Sequence, residues 1–386
     1  MPSSVSSNSQ KLAKAAETTP RGPLSTALTW LCRTIVGGAF ALGGWSKSID
    51  PYGTMYKMLE YLNAWGFHSM PHEPVVMAAV ALGALELTIG VCVLTGILRH
   101  SSAVAASAVM LFMMPLSGYI AIAEPVADCG CFGDVLVVGN TTTFLKNVLI
   151  GACCAFLLVR NNCCQGLFAR PLQWIVVLAT VLYALVLAAI GYNAQPTADF
   201  RPYPLGTVMA LDAQGDDDDA YLPAFDEDGE EVDVFRADGT QLVFVVPDPG
   251  EHFLTRSRFT NELAEYAARY GTHTAALVGT SAKGLKEWKL LAAPAFEAYS
   301  ADDTDLKSLV RGDIAAVYLR DGAIVWKRNL ASVDADLVDA ATPGENALET
   351  ISRPDDGSLT LLLAGIYLGL LLLLAIATLT VRLTRR

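Results

Sequence analysis

Cys129 and Cys131 stand one residue apart in Asp128-Cys129-Gly130-Cys131-Phe132-Gly133-Asp134, a short polar stretch between two apolar runs. Two thiols at that spacing can close a ring of roughly eleven atoms, and departure from relaxed disulfide geometry makes such a bond easier to reduce. Gly130 suits the tight turn because it lacks a Cβ, and Gly133 loosens the chain behind it. Lys146, at the start of the next apolar run, would lower a thiol pKa if it reached the loop, whereas Asp128 and Asp134 would raise it. Three readings are open: a redox-active dithiol, a disulfide that staples the loop, or part of a metal site. Two thiolates with no histidine nearby fall short of a four-ligand zinc site, so no metal centre is expected.

The chain that must position these thiols has 386 residues, 53% of them hydrophobic and 17% charged, a composition too apolar for an ordinary soluble protein. Crossing about 30 Å of hydrocarbon takes about 20 apolar residues. Six segments meet that length approximately: 24 to 47, 75 to 98, 101 to 123, 143 to 159, 172 to 192 and 359 to 381. Residues 1 to 23 lack the apolar core and cleavage site of a secretory signal and read as a disordered cytoplasmic tail. Basic residues flank alternate connections, with Arg99 and His100 after the second segment, Arg160 and Arg170 around the fourth connection, and Arg382, Arg385 and Arg386 at the end. The bias toward a positive inner side then puts both termini in the cytoplasm and the cysteine loop outside, as expected of a bacterial inner-membrane protein in a lipid bilayer. The formal charge of -12 sits mostly in the external stretch 193 to 358, which includes Asp216 to Asp219 and Asp226-Glu227-Asp228. Such a surface argues against nucleic acid as a partner.

Two charges lie inside apolar segments, Arg33 in the first and Glu86 in the second. Counting from the inner ends puts them roughly 14 and 18 Å deep, so an intramembrane ion pair is expected, with a structural or a proton-handling role both open. Between those segments, residues 51 to 62 carry apolar and aromatic side chains at helical spacing after Pro51-Tyr52-Gly53, as in an interfacial helix. Cys32, Cys92, Cys153 and Cys154 fall in the inner halves of their segments, too far from the loop for direct exchange, and read as small buried hydrophobes. Cys163 and Cys164 fall in an inner connection as free thiols.

Residues 43 to 54, Gly43-Gly44-Trp45-Ser46-Lys47-Ser48-Ile49-Asp50-Pro51-Tyr52-Gly53-Thr54, with Glu86 and Gly90, the loop 128 to 134, and Thr143-Phe144-Leu145-Lys146-Asn147, together resemble the four-helix DoxX/MauE membrane superfamily over residues 24 to 160. The whole layout is similar to DoxX-family proteins of Bacteroidetes. The resemblance implies membrane redox chemistry around disulfides, with Cys129 and Cys131 as the working pair. Because the other cysteines lie too far from the loop, electrons must pass to a periplasmic thiol protein or to a mobile carrier, and relatives tied to quinone-linked sulfur oxidation imply a quinone as electron acceptor.

After a fifth membrane helix over 171 to 192 comes an external domain over 200 to 345. Its pattern reads strand 241 to 246, helix 255 to 270, strand 272 to 278, helix 283 to 292, strand 295 to 299, helix 303 to 311, strand 314 to 319 and strand 323 to 328. That order resembles the thioredoxin fold without its active site. Pro247-Asp248-Pro249-Gly250-Glu251-His252 stands where Cys-x-x-Cys would open the first helix, and Arg311-Gly312-Asp313-Ile314 replaces the proline expected before the penultimate strand. Without a thiol the domain cannot perform exchange and reads as a docking module, with Glu251 and His252 as loop residues. The expected fold is therefore mixed, an α-helical polytopic membrane bundle with an extracytoplasmic α/β domain. A sixth membrane helix over 359 to 381 and a basic tail over 382 to 386 complete it. Two functions stand against each other: a thiol-disulfide oxidoreductase, or a non-enzymatic assembly scaffold with a stapled loop and an acidic docking domain.

Overall fold

The computed structural model describes residues 23–68, 70–126, 129–136, 138–161, 164–196, 198–210, 220–333, 346–350 and 358–384, without the side chains of 251–255 and 350. Asp128, Cys163, the Asp216 to Asp219 run, residues 1 to 22 and the last two arginines lie outside the described residues.

Six described helices are long and apolar enough to cross a membrane. They are α1 (Pro23–Ile49), α3 (His72–Thr95), α4 (Arg99–Ala123), α5 (Asn140–Arg160), α6 (Gln173–Asn193) and α10 (Ser358–Thr384). The short helix α2 (Pro51–Ala64) lies between α1 and α3, with Pro51 in its first turn and Asp50 at its N-cap accepting from Gly53 N at 2.8 Å. Small residues let α1 and α3 touch backbone to backbone: a Cβ on Gly44 would stand 2.1 Å from Leu87 N, and one on Gly90 2.3 Å from Ala41 N. Gly83 against Ser48 continues the same register. A buried core of α1, α3, α4 and α5 follows, with Cys32, Val36, Phe40, Val93, Ile150 and Leu157 among its members.

The α/β domain packs at the end of the bundle that carries the cysteine loop. Its elements are β1 (Thr240–Val246), α7 (Glu251–Arg269), β2 (His273–Gly279), α8 (Ala282–Ala292), β3 (Glu297–Ala301), α9 (Asp303–Leu309), β4 (Ala315–Arg320) and β5 (Ala323–Asn329). The sheet runs β3-β2-β1-β4-β5, with β1, β2 and β3 parallel and β4 antiparallel to both β1 and β5. A parallel β-α-β unit continued by an antiparallel hairpin is the thioredoxin arrangement, here with β3 added at one edge. Both sheet faces are covered, so residues 242 to 246 of β1 form an unbroken apolar run, all of it buried. The third strand begins at Glu297 rather than 295, because Ala293 turns left-handed at φ 44 to end α8 and Pro294 follows it.

Candidate functional site at the cysteine loop

Gly130 takes the positive φ of 64 that closes the Cys-Gly-Cys turn, and the Lys57 stem from α2 packs where a Cβ would be, 2.6 Å from Cγ. That turn brings Cys129 Sγ and Cys131 Sγ to 2.8 Å as free, half-buried thiols. Each cysteine carbonyl is anchored by a different helix: Tyr61 of α2 donates its hydroxyl to Cys129 O at 2.9 Å, and Lys47 of α1 donates Nζ to Cys131 O at 2.8 Å. Lys47 is itself paired with Glu86 of α3 at 2.6 Å, and both side chains are buried. From α5, Lys146 reaches over the loop, its Nζ 4.1 Å from the centre of the buried Phe132 ring.

These surroundings set the thiols apart. The hydrogen bond from Cys129, then the ammonium groups of Lys146 and Lys47, bring the Cys131 thiol down to about 6 against burial, which alone would raise it. Cys129, the donor in that bond and buried beside its neighbour, is pushed up. One proton is therefore shared by the pair, with the negative charge on Cys131, where the lysines face it.

The α/β domain closes the site from the other side through Arg311, just before β4. Its Nη2 meets Asp134 of the loop at 2.5 Å and its Nε meets Asp50 at 2.8 Å, while its guanidinium lies 5.5 Å from the Tyr56 ring. Burial would lower this guanidinium's pKa, but Asp50 and Asp134 reverse the sign and raise it. Its main chain is fixed as well, since Gln195 accepts from Arg311 N at 3.0 Å and donates to Arg311 O at 2.9 Å. Asp134 therefore faces a guanidinium, and its charge is drawn away from the thiols.

The expected pair of Arg33 and Glu86 is not formed. The glycine register places Glu86 level with residue 45 of α1, twelve residues from Arg33 and thus roughly 18 Å away along the helix. Counting depth from the helix ends missed this because α1 runs past the end of α3: Arg33 lies beside Gly96, where a Cβ would stand 2.5 Å from Nη1. Arg33 is fully buried and donates to Asn161 Oδ1 at 2.8 Å, Asn161 O at 3.0 Å and Cys164 O at 3.2 Å, with the Trp30 ring centre 4.7 Å from its Cζ. It supplies donors to Asn161, the C-cap of α5, and to the Cys164 carbonyl beyond it, at the negative pole of that helix. Cys32, Cys92, Cys153, Cys154 and Cys164 are buried at or toward that same end.

The sequence reading thus named Cys129, Gly130, Cys131, Asp134 and Lys146, and the structure brings them together with Glu86. It passed over Lys47, Asp50, Tyr61 and Arg311. Lys47 and Asp50 lay inside the 43 to 54 motif, so an ionisable residue at the last turn of an apolar helix was the available signal. Arg311 was noticed only as a missing proline, and no local signal tells that its side chain crosses to another domain. Glu251 and His252 belong to α7 rather than to a loop.

Among curated proteins nothing matches this chain. Among solved structures, a peroxiredoxin-like protein from Aquifex aeolicus is 15% identical, with 35% of this chain and 84% of that one covered and a TM-score of 0.26. The Xanthomonas campestris bacterioferritin comigratory protein is 17% identical, over 35% and 93% of the two chains, also at 0.26. A mutant of peroxiredoxin Q from the same organism is 17% identical over 35% and 94%, with the same score. Scores this low say nothing of chemistry, and the thioredoxin arrangement rests on the strand order itself. The membrane part is matched at the level of a family: residues 25–160, which hold α1 to α5 and the cysteine loop, fit the family described as methylamine utilisation protein MauE.

Proposed function

We propose that the protein is a thiol-disulfide exchange protein of a bacterial inner membrane, with Cys129 and Cys131 as its working pair. Residues 24 to 160 form the redox unit and residues 200 to 345 a docking domain. The loop and docking domain face the periplasm, and both termini lie in the cytoplasm, because the basic ends Arg99, Arg160, Arg170 and Arg382 share the opposite side. The observation that carries the reading is the unequal pair: two thiols in contact, of which Cys131 has Lys146 and Lys47 around it.

In the oxidised state a thiolate of a periplasmic partner attacks Cys129 Sγ, the loop disulfide breaks, and Cys131 leaves as a thiolate. A sulfur with a low pKa is the better leaving group, so the lysines favour this direction of attack. A second partner thiol, losing its proton, attacks the mixed disulfide. The partner departs with a disulfide, and the loop keeps two electrons and one proton as thiol and thiolate. Return to the disulfide passes those two electrons and the Cys129 proton, with a second proton from the aqueous phase, to a quinone in the bilayer, giving the quinol. A quinone is the acceptor proposed because among the described residues no second dithiol reaches the loop.

The test is the reduction potential of the pair in detergent, read by alkylating free thiols after equilibration in graded glutathione buffers. A value of about -120 to -180 mV is expected of an exchangeable pair. One below about -300 mV would mark a staple and turn the reading toward an assembly scaffold. Cys129→Ser with Cys131→Ser should fold normally and lose all thiol-dependent quinone reduction.

A further inference from the structure

The Cys131 carbonyl is held by a buried ammonium from the last turn of a membrane-length helix. Lys47 is buried, its Nζ lies 2.8 Å from that carbonyl and 2.6 Å from Glu86 Oε2, and a Cβ on Gly43 would stand 3.0 Å from Cys131 O and 3.2 Å from Glu86 Oε2. Two helices, α1 with Gly43 and Lys47 and α3 with Glu86, therefore converge under one cysteine. Gly43 leaves the room, Lys47 makes the contact, and Glu86 holds Lys47. A buried ion pair is costly to desolvate and is weak evidence of stability by itself. Its contact with the backbone of the ionising residue gives it a second role.

We propose that Lys47 is a positioning residue of the thiol pair: an ammonium, fixed by Glu86 from below, that anchors the loop through the Cys131 carbonyl and lends its charge to the sulfur when that sulfur ionises. The proposal rests on the exchange reading above. In the reduced state Lys47 then pairs with Glu86 and Lys146 with the Cys131 thiolate, while Arg311 stands between two carboxylates, Asp50 and Asp134. The other titratable groups around the loop are Cys129 itself, Tyr61 on its carbonyl, and Lys57, which pairs with Glu60 at 2.7 Å. Glu86 acts on Cys131 beside Lys47, and Asp134 of the loop is already met by Arg311. Glu86 is the one whose removal would leave Lys47 unopposed.

The test uses the full chain in nanodiscs, reduced, with iodoacetamide alkylation of Cys131 followed over pH by peptide mass mapping. Lys47→Met should move the midpoint of the profile up by about one unit, so that Cys131 reacts about tenfold more slowly well below it. Lys47→Arg should restore the profile to within about threefold. Glu86→Gln should move the midpoint down, since the ammonium then acts on the sulfur unopposed. Opposite signs for these two changes are the signature, because a merely loosened loop would shift both the same way. An unmoved Lys47→Met profile, or shifts of one sign, overturns the proposal. Removing one partner of a buried pair can prevent folding, and Lys47→Met with Glu86→Gln avoids the stranded charge. That double variant should fold, place the midpoint between wild type and Lys47→Met, and speed hydrogen exchange in residues 129 to 136. A wild-type midpoint with wild-type exchange in the double variant overturns the proposal as well. Alkylation needs no partner protein, so the two readings fail separately. Lost thiol exchange with these shifts intact would sink the function alone, and intact exchange with unmoved profiles would sink the positioning alone.

Discussion

Lys47 and Arg33 lie on one helix, fourteen residues and roughly 21 Å apart, and the chain satisfies them in opposite ways. Lys47 meets a carboxylate, and so does Arg311 just above it, with two. Arg33 meets an amide and two carbonyls at helix ends, and Arg99 beside it donates to the same Cys164 carbonyl at 2.8 Å. Composition makes the contrast: residues 23 to 49, 92 to 123, 135 to 198 and 358 to 386 contain no aspartate or glutamate at all. A cation at the Arg33 end can be compensated by helix dipoles and carbonyls, which carry no protons to exchange and cannot be titrated. At the loop end each cation faces a group whose charge can change, beside sulfurs whose charge changes in the reaction. A buried charge is therefore a candidate for function here when its partner is ionisable, and a candidate for architecture when its partner is backbone.

The sharpest way to break that contrast is Arg33→Leu. It strips the Arg33 donors from both buried Asn161 oxygens and one of two donors from the Cys164 carbonyl, and each such loss costs about 1–3 kcal/mol. We expect a loss of about 3 kcal/mol or more, read as a lowered thermal midpoint in detergent, with the pH profile of Cys131 unchanged in the folded fraction. A shifted profile with unchanged melting would reverse the assignment of the two ends.

Arg311→Gln comes next in size. It leaves Asp50 and Asp134 without their guanidinium, and about 1–3 kcal/mol of coupling between the α/β domain and the loop should go with it. The freed Asp134 carboxylate then opposes the Cys131 thiolate, so the midpoint near 6 should rise, and alkylation just below that pH should slow. Above the raised midpoint the sulfur is a thiolate in both proteins and the rates converge, so the variants differ below it, by the full factor once the pH is under 6. Asp134→Asn in the Arg311→Gln background should return most of the shift. If it returns none, the domain acts on the loop by some route other than this ion pair.

The same contrast explains what could be read from the chain alone. The membrane-length helix spans came through within three residues at each end, because apolar runs are broken by Gly96, Pro51 and Pro71, residues with local causes. The strand and helix order of the α/β domain came through for the same reason. Pairing between segments did not. Which residue of α1 lies level with Glu86 depends on Gly44, Gly83 and Gly90 setting a contact register, and depth counted from helix ends carries an error of a few turns when one helix overshoots another. Arg311 is the extreme case, since its partners lie 261 and 177 residues away and nothing beside it in sequence hints at them.

Gly130→Ala is the smallest of these changes and probes the turn rather than the charges. The residue sits at φ 64, where an L side chain is strained, and its Cβ would stand 2.6 Å from Lys57 Cγ. Left-handed backbone in a residue with a Cβ costs about 1 kcal/mol or a little more. The Lys57 stem is a flexible side chain that can swing aside, at the expense of its pair with Glu60. The loss of stability should therefore stay near 1–2 kcal/mol, within the range a folded bundle tolerates. The thiols feel it more directly, because the 2.8 Å approach of the two sulfurs depends on that turn. With the sulfurs spread, the hydrogen bond that does most to lower Cys131 weakens, and its alkylation midpoint should rise although every lysine remains in place. A midpoint that stays near 6 would mean that Lys146 and Lys47 alone hold the thiolate, and would move the weight of the site from the turn to the helices.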